Sequence, residues 1–594
     1  MLGVFHRRRQ LSFVLLANVC WVGCDHTPLP HAGESKLLQV TPHAIPRAHE
    51  AHVVLDPARQ KAIWDAEHLT FELERRFGPP LLEAIRTQDQ EQLTRLFREQ
   101  FSGSFAAATE SQERTNGFVT EMVSTYDSAG STPLDAEQMS ARLLKTTKSL
   151  TMIDRARFRV LKIQKSGPPG RWEIRVLLTF VGQQSTSQET LIESEHQIVV
   201  TVGDDEQIGH EPLVEQWHIE SLVQRSSIRP LMQEITEQVG FDRLPLQDNW
   251  KVPVGKASQF GLQFAAEDFD RDGDIDLAVA GYNGQTMLLR SIQGRSFMDV
   301  ATKIGIGRRI ATRNKLAAWI DFDNDGYPDL LLGEALYHNE KGKHFTEVTQ
   351  QSGLYFDFEC MGAVTADYDG DGLLDLYVLY QRDNKTETPV KETWINESQS
   401  GKANVLWRNV GGGRFIDVTS KANAGGGRRF SHAASWFFYD QDRWPDLYIA
   451  NDFGRNVILR NKGDGSFVDV SAETGASDFA TSMGVATGDI DNDGFTEIYV
   501  ANMYSKMGRR IIDQVSDADY PAGIFQQIKG SCAGNRLYSK HSVTEPYQEH
   551  GESMGVYAVG WAYAPVMADL DNDGWLDIYS TTGFMSFDRK KPDG

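Results

Sequence analysis

The sequence predicts a multidomain chain in which an α+β domain at residues 57–245 precedes an all-β domain at residues 250–594. The all-β domain is indicated by an acidic phrase that recurs six times, each copy followed by a short apolar run typical of a buried strand. The α+β domain is indicated by a helical hydrophobic period that gives way to a period of two. Because one small sheet cannot bury both faces alone, we expect the repeats to form the blades of a β-propeller.

Composition excludes some classes of function. Among 594 residues, 82 Asp and Glu outnumber 60 Lys and Arg, and the formal net charge is −22. A nucleic-acid partner requires a basic face, so this balance argues against one and favours a soluble protein that holds cations. The length exceeds the usual size of one domain, and 40% hydrophobic residues suffice for more than one core.

The first 24 residues have the pattern of an export signal. The basic stretch "HRRR" precedes the apolar run "LSFVLLANVCWVG", which is too short to span a bilayer. The ending "WVGC" resembles the lipobox of bacterial lipoproteins, which implies lipidation of Cys24 and a membrane anchor. Plain secretion and an uncleaved N-terminus remain open alternatives. Residues 25–56 lack periodicity, which predicts a flexible spacer. Because of the export signal, we expect the folded part of the chain to lie outside the cytoplasm.

The first domain combines a helical segment with a strand meander. Residues 57–125 have helical spacing, set by Leu82, Ile85, Leu93, Leu96 and Phe97. From residue 154, the segments "FRVLKIQK", "RWEIRVLLTFVG", "HQIVVTVGD" and "QWHIESLVQR" predict four strands, and residues 226–240 predict a short helix. This order resembles the cone-shaped NTF2-like fold, which implies either a small-molecule site or a structural adaptor. Because no acid–base pair stands out, we favour the adaptor.

The second domain contains six copies of the acidic phrase, at intervals of 46 to 80 residues. The copies begin at Asp268, Asp321, Asp367, Phe438, Asp489 and Asp569. A second phrase, seen as "LWRNVGGGRFIDV" and "LRNKGDGSFVDV", follows in step with the first. Two phrases in fixed order predict a repeated unit of several strands, with enlarged gaps as insertions.

The acidic phrase has the ligand pattern of a calcium loop. Carboxylates at positions 1, 3, 5 and 9 can converge on one cation, Gly at position 6 permits a sharp turn, and position 7 offers its carbonyl. An EF-hand would need Glu at position 12 and a helix on each side. Position 12 is instead Val279, Leu332, Val378, Val500 or Ser580, inside the apolar run. The sequence therefore predicts an acidic loop in a β-hairpin.

The two phrases together resemble FG-GAP/VCBS repeats, the calcium-loop blades also found in integrin alpha subunits. The "RN-x-G-x-G-x-F-x-D-V" phrase is similar to that of the cartilage-acidic-protein-like group. The resemblance covers about residues 255–594 and implies a propeller of about seven blades, six of them visible as repeats, with calcium bound in hairpins at the rim. A seventh blade could be built from strands in residues 241–266 and at the C-terminal end. Alternatively, the chain is a fragment that lacks the closing strands.

The resemblance implies five calcium sites, with the position-7 residue acting through its carbonyl. Their ligands are Asp268, Asp270, Asp272, Asp274 and Asp276; Asp321, Asp323, Asp325, Tyr327 and Asp329; Asp367, Asp369, Asp371, Leu373 and Asp375; Asp489, Asp491, Asp493, Phe495 and Glu497; and Asp569, Asp571, Asp573, Trp575 and Asp577.

The copy at residues 438–446 is degraded, and we predict that it binds no calcium. Phe438 replaces the first Asp, and Arg443 replaces the turn Gly. We expect the Arg443 guanidinium to lie among Asp440, Asp442 and Asp446 as a built-in cation.

No catalytic set is evident in the sequence, since HExxH, GxSxG and P-loop patterns are absent. We therefore expect an exported calcium-binding propeller that acts as a cell-surface interaction module for a protein or glycan, with membrane contact only through a lipid anchor. An extracytoplasmic enzyme acting on glycans or peptides is the main alternative, and a scaffold of the envelope is a third. The insertions at residues 382–404 and 504–535 are either a binding surface or covers for blade edges. A Cys360–Cys532 disulfide is also left open.

Overall fold

A computed structural model of the chain contains two compact units. The described residues are 56–583, except 106–107, 117–118, 127–131, 185–188, 204–207, 209–211, 228–231, 245–261, 282–285, 308–315, 357–359, 382–400 and 521–522. One unit takes the described residues up to Glu234 together with Arg509–Ser516, and the other takes Ile235–Gly508 and the described residues from Asp517. The predicted signal and Cys24 lie outside the described residues.

The N-terminal unit begins with helices that bury one apolar face. The helices are α1 (Pro57–Glu72), a π-helical turn (Leu73–Phe77), α2 (Gly78–Arg86), α3 (Gln90–Thr94) and α4 (Ala136–Thr146). A capping box starts α4, because Asp135 accepts from the Gln138 amide and the Gln138 side chain accepts from the Asp135 amide. Met139 and Leu143 on this helix are buried in the core of the unit.

A seven-stranded sheet packs against these helices. Its strands are β1 (Phe97–Ser104), β2 (Ala108–Asn116), β3 (Val119–Tyr126), β4 (Met152–Lys165), β5 (Arg171–Gln183), β6 (Glu189–Thr201) and β7 (Val214–Ser227). The order is β2-β3-β7-β6-β5-β4, and β1 pairs with β7 in parallel. The period of two is confirmed in β5, where Trp172, Ile174, Val176, Leu178 and Phe180 are buried.

Two local predictions for this unit are wrong. The helical pattern was predicted to run to residue 125, but the last helix of the segment ends at Thr94 and residues from Phe97 onward form β1, β2 and β3. The pairing of β1 with the distant strand β7 outweighs local helix propensity. In residues 226–240, β7 continues to Ser227, and residues 236–240 form a turn in place of the predicted helix.

Three buried polar side chains in this unit are hydrogen-bonded to one another. His196 is 0% exposed, accepts from Trp217 Nε1 through Nδ1 at 3.0 Å, and lies 2.8 Å from Ser194 Oγ through Nε2. Since Nδ1 is the acceptor, Nε2 carries the proton and donates to Ser194. Burial lowers the pKa of His196 to about 3, so the ring is neutral at physiological pH.

The C-terminal unit consists of small antiparallel sheets that follow one another along the chain. Five sheets have four strands, and the last described pair has two. The strands are β8 (Leu262–Glu267), β9 (Asp276–Gly281), β10 (Thr286–Ile292) and β11 (Ser296–Asp299); β12 (Leu316–Ile320), β13 (Asp329–Gly333), β14 (Ala335–Asn339) and β15 (Phe345–Glu347); β16 (Cys360–Ala366), β17 (Asp375–Tyr380), β18 (Val405–Asn409) and β19 (Phe415–Asp417); β20 (Phe430–Phe437), β21 (Asp446–Asp452), β23 (Val457–Asn461) and β24 (Phe467–Asp469); β26 (Ser482–Gly488), β27 (Glu497–Asn502), β28 (Arg536–Ser539) and β29 (Gln548–Glu549); and β30 (Ala562–Ala568) with β31 (Asp577–Thr582). A further two-stranded sheet pairs β22 (Gly454–Arg455) with β25 (Phe479–Ala480).

Short helices connect these strands. They are two 3-10 turns (Phe241–Arg243 and Ala301–Ile304), α5 (Thr349–Ser352), α6 (Thr419–Ala422), α7 (Lys506–Ile512), a third 3-10 turn (Asp517–Asp519) and α8 (Ile524–Cys532). Among the described helices of both units, none is long and apolar enough to cross a membrane.

The sheets share their hydrophobic cores with their neighbours in the chain. The second strands β13, β17, β21 and β27 are buried at every position, as the apolar runs predict. One cluster joins Leu331 and Leu336 of one sheet to Leu376 and Val378 of the next, and three further clusters join other consecutive sheets in the same way. The first strands β8, β12, β16, β20, β26 and β30 also contact one another in sequence.

Candidate metal sites

Each acidic phrase connects the first and second strands of one sheet. We name these connections loop one (residues 268–276), loop two (321–329), loop three (367–375), loop four (438–446), loop five (489–497) and loop six (569–577). In every loop except four, the glycine at position 6 has a φ between 85° and 91°. Only glycine adopts this region without strain, which accounts for its place in the phrase.

The first carboxylate of the loop folds the turn around itself. Asp268 accepts from the amides of Asp272 and Gly273 at 3.1 and 2.9 Å. The same two bonds recur in loops three, five and six, and in loop two Gly326 donates to Asp321 at 3.0 Å. At position 5, the Asp accepts from the amide of position 7 in all six loops, at 2.7 to 3.0 Å. The turn thus gathers its carboxylates by backbone hydrogen bonds.

The carboxylate at position 9 ties the loop to the third strand. Asp375 is fully buried, and its two oxygens accept from the amides of Tyr368, at position 2, and Asn409, on β18, at 3.2 and 2.8 Å. Equivalent pairs of bonds hold the position-9 Asp in loops one, two and four. The sequence identified this residue as a metal ligand, but its role in joining backbone segments was not predicted.

Burial disfavours the charged form of these carboxylates. Burial raises the pKa of Asp276, Asp329 and Asp446 to about 7, that of Asp375 to about 8, and that of Glu497 to about 7. Burial also raises the pKa of Asp270 and Asp369 at position 3, where neighbouring carboxylates add to the effect. A bound cation would offset both causes and favour ionisation.

Each loop also contains a buried carboxylate oxygen that has no hydrogen-bond partner among the described residues. These atoms are Oδ1 of Asp270, Asp321, Asp369, Asp440 and Asp571, and Oε1 of Glu497. An unsatisfied buried acceptor costs about 1–3 kcal/mol, and more when it is charged. Carboxylate oxygens without partners are the ligands that a hard divalent cation such as calcium takes, so these oxygens fit that group.

Side chains from the third strand supply cations to several loops, which the sequence reading missed. Arg408 Nε lies 2.6 Å from Asp369 Oδ2, and its Nη2 lies 3.0 Å from Asp371 Oδ2. Arg290 pairs with the equivalent carboxylates of loop one at 2.6 and 2.9 Å. In loop two His338 occupies this place, 3.1 Å from Asp329 and 3.5 Å from Asp323. The "RN" phrase was visible in the sequence, but only folding brings its Arg onto the acidic loop.

The Asn of the same phrase joins consecutive sheets. Asn409 Nδ2 donates to the carbonyl of Phe322 in the preceding sheet at 2.8 Å and to that of Leu374 at 3.2 Å. Asn339 and Asn461 make the equivalent bonds, and all three Asn residues are themselves fully or almost fully buried. These bonds fix each loop against the sheet before it.

Loop four departs from the expected arrangement. The Arg443 guanidinium lies 4.4 Å from the Trp444 ring centroid, not among the three carboxylates as predicted. Arg460 Nε lies 3.7 Å from Asp440 Oδ2 instead. The buried Lys540 ammonium donates to the Tyr439 carbonyl, and burial lowers its pKa while Asp440 and Asp446 oppose that shift. The local cations therefore come from the third strand of this sheet and from the residue that follows the third strand of the next.

The structure brings predicted ligands together in at least three of the loops. One oxygen from each member lies within 4.8 Å of the others in the sets Asp268, Asp270 and Asp276; Asp321, Asp323 and Asp325; and Asp367, Asp369 and Asp371. The position-7 carbonyls of Asp274, Tyr327, Leu373, Phe495 and Trp575 remain predicted ligands. Cys360 and Cys532 are both buried and are not joined by a disulfide, so the pairing left open by the sequence is not formed.

Comparison with known proteins gives matches in the repeat region and to longer relatives. Residues 268–332 and 439–500 match the FG-GAP-like repeat family. Cartilage acidic protein 1 of Xenopus tropicalis is 27% identical over 313 residues, covering 46% of this chain and 43% of that protein. The Homo sapiens protein of the same name is 24% identical over 428 residues, covering 60% of each. The chain thus spans less than two thirds of the length of these relatives.

Two solved structures show weaker likenesses. A conserved protein from Planctomyces limnophilus is 11% identical and covers 26% of this chain and 93% of its own, with a TM-score of 0.17. A phenazine biosynthesis-related protein from Pseudomonas aeruginosa is 12% identical and covers 27% and 84%, with a TM-score of 0.14. At such scores neither bears on the fold. The chain carries FG-GAP-like repeats and is a distant homologue of cartilage acidic protein 1.

Proposed function

We propose that this chain is an exported β-propeller whose acidic loops hold calcium and whose surface binds a protein or glycan partner. The central observation is the buried, unpartnered carboxylate oxygen that recurs in the loops. Calcium would be held by loops one, two, three, five and six, and loop four would hold none. When bound, the ion would neutralise carboxylates that otherwise repel one another across each turn.

The packing of the sheets supports a propeller. Successive four-stranded sheets share hydrophobic clusters face to face, and their first strands contact one another in chain order. Blades around a central axis have this arrangement, and a ring leaves only short, protected edges. The resemblance noted in the sequence implies about seven blades.

The interaction role rests on similarity and on the character of the surface. FG-GAP-like repeats and homology to cartilage acidic protein 1 favour an extracellular interaction module. The export signal predicted at residues 1–24 supports a location outside the cytoplasm, and lipidation of Cys24 would provide a membrane anchor. The net charge of −22 argues against nucleic acid as a partner. We infer an adaptor role for the N-terminal unit because no acid–base pair stands out in its sequence. Its buried His196 is consistent with this role, since it makes its hydrogen bonds within the core.

Thermal unfolding of the full chain tests the calcium claim. A ligand that binds the folded state raises its stability by an amount that grows with concentration. We expect the C-terminal unit to melt several degrees higher in millimolar calcium than in excess chelator, with magnesium giving a smaller increase. Identical melting in calcium and chelator would contradict the proposal.

One buried carboxylate outside the loops supports a second candidate, an extracytoplasmic enzyme acting on glycans or peptides. Asp452 at the end of β21 is 1% exposed, and neither of its carboxylate oxygens has a hydrogen-bond partner among the described residues. Burial raises its pKa to about 8, and His432 Nε2 lies 3.9 Å from Oδ2. A protonated carboxyl beside an imidazole suits general acid–base chemistry. Turnover of a glycan or peptide substrate that is lost in Asp452→Asn would favour this candidate, and turnover unchanged by that substitution would exclude this site.

A further inference from the structure

Loop five differs from the other loops at the residue that closes it. Glu497 replaces Asp at position 9, and its side chain is 0% exposed. Glu497 Oε2 accepts from the Ile490 amide at 3.0 Å, as the shorter Asp does elsewhere. Its second oxygen, Oε1, accepts no third-strand amide and has no hydrogen-bond partner among the described residues. Loop five therefore contains a fully buried carboxylate oxygen available to a ligand.

A histidine lies at the same loop. His541 Nδ1 is 2.6 Å from Asp493 Oδ2. His541 Nδ1 and one oxygen each from Asp491 and Asp493 all lie within 4.8 Å of one another. In loops one and three the equivalent carboxylates pair with Arg, which cannot ligate a metal. An imidazole nitrogen can ligate one, so loop five offers a mixed nitrogen and oxygen donor set.

We propose that loop five is a site for a divalent first-row transition metal, with zinc as the leading candidate. The ligands would be His541 Nδ1, Asp491, Asp493 and Glu497 Oε1. Calcium takes oxygen ligands almost exclusively, whereas imidazole suits zinc and its neighbours in the first transition row. The inference rests on the proposed function insofar as the loops hold cations. At loop five zinc would replace calcium, so calcium would then be held by loops one, two, three and six.

The positions of His541, Asp491 and Asp493 permit metal coordination after a small movement. Bonds of about 2.0–2.1 Å in a tetrahedral site place ligand atoms about 3.3 Å apart, so Nδ1 and Oδ2 must separate slightly from their hydrogen-bonded distance. His541 has a side-chain exposure of 64%, and its ring can move without disturbing the core. Four ligands from one loop and one neighbouring turn would complete a tetrahedral set.

Loop two provides the contrast that makes loop five specific. His338 also lies beside its loop, but both oxygens of Asp329 already accept backbone amides, from Asn339 at 2.7 Å and Phe322 at 3.1 Å. Loop two therefore lacks a buried position-9 oxygen without a partner. The histidine and the free Glu oxygen occur together in loop five.

The test is a titration of the metal-stripped full chain with Co2+ and then Zn2+, in saturating calcium. We expect one tight Co2+ site per chain with the absorption of a nitrogen and oxygen ligand field, displaced by Zn2+ and not by calcium. His541→Asn should weaken Zn2+ binding at least about tenfold, and Glu497→Gln should weaken it as well. His344→Asn, at an exposed histidine outside every loop, is the matched control and should leave the affinity unchanged.

Two results would overturn the inference: equal Zn2+ affinity in His541→Asn and the wild type, or displacement of Co2+ by millimolar calcium. The same titration series separates this failure from that of the proposed function. Calcium binding without a His541-dependent Zn2+ site rejects only the inference. A His541-dependent Zn2+ site in a chain that binds no calcium rejects calcium at the other loops and supports the inference.

Discussion

Loops three and four have the same scaffold but different cation environments. In both, the position-9 Asp accepts one amide from its own loop and one from the third strand, and Asn409 or Asn461 joins the loop to the preceding sheet. Loop three has Asp at position 1 and Gly at position 6, whereas loop four has Phe438 and Arg443. Loop four has nevertheless kept the fold of the hairpin.

This difference separates two functions of one acidic phrase. Position 9 and the Asn of the next phrase hold the backbone, so they are present whether or not a metal binds. Positions 1, 3 and 5 gather oxygen ligands, and position 6 provides the turn that aims them. Under the calcium proposal, loss of positions 1 and 6 would therefore remove the ion and leave the sheet.

The largest expected effect comes from position 9. Asp375→Ala leaves the buried amides of Tyr368 and Asn409 without acceptors, and Asp446→Ala does the same to Tyr439 and Asn461. Each unsatisfied amide costs about 1–3 kcal/mol, so either substitution should lower the free energy of unfolding by roughly 2–5 kcal/mol. Urea denaturation in chelator should give similar losses for the two variants. A large loss for Asp375→Ala alone would show that the position-9 scaffold in loop four is not equivalent.

Stability of the metal-free protein should fall as pH rises from about 4 to 8. The folded pKa of Asp375 is about 8 and that of Asp446 about 7, both raised by burial above the ordinary value of 3.8. A raised carboxyl pKa stabilises the fold below its unfolded pKa, and this contribution is lost as pH rises through the folded pKa. Unfolding in chelator at pH 5 and pH 8 measures the slope.

Asp375→Asn should flatten that slope, because the Asn side chain does not titrate. In the wild type, calcium should raise stability more at pH 8 than at pH 5. A slope that is unchanged in Asp375→Asn would mean that other groups cause the pH dependence.

The Asn residues should contribute less than position 9. Asn409→Ala removes donors from the carbonyls of Phe322 and Leu374, and Asn461→Ala removes the equivalent pair from Tyr368 and Pro445. Loss of these buried bonds should cost about 1–3 kcal/mol in each variant. Thermal unfolding of both, with calcium and without, should show the same shift. A cost that appears only with calcium would place the Asn in the metal site instead of the scaffold.

The smallest expected effect is that of Arg408, on the third strand, on the calcium affinity of loop three. Arg408 lies within salt-bridge distance of Asp369 and Asp371, so it occupies oxygens that calcium could use and repels the ion. Arg408→Gln should tighten calcium binding at loop three by a few fold, measured by competition with a fluorescent chelator. Arg460→Gln beside loop four is the control and should leave calcium affinity unchanged. Weaker binding in Arg408→Gln would mean that the guanidinium organises the site instead of competing for it.

The sequence was informative where structure is local and repeated. Gly326 and its equivalents, the acidic positions and the apolar second strands were all evident from the phrase, because a short loop and a buried strand depend on adjacent residues. The N-terminal helix was overextended because Phe97 begins a strand that pairs with Val214, more than a hundred residues away.

The missed site residues have the same cause. Arg408 and Asn409 follow loop three by over thirty residues, and only the three-stranded pairing of the sheet brings them to it. Arg443 was expected among the carboxylates from adjacency alone, but stacking on Trp444 directs its guanidinium away from them. The buried Lys540 near loop four comes from the next sheet, and no feature of the loop itself indicates it.

The most direct test of the calcium proposal is the number of calcium ions bound per chain, measured by equilibrium dialysis of the wild type, Asp369→Asn and Asp440→Asn. Both residues occupy position 3, and both have a buried Oδ1 without a hydrogen-bond partner among the described residues. We expect Asp369→Asn to bind one calcium ion fewer than the wild type and Asp440→Asn to bind the same number. Equal numbers in all three proteins, or the loss of one ion in both variants, would contradict the assignment of calcium to the intact loops and not to loop four.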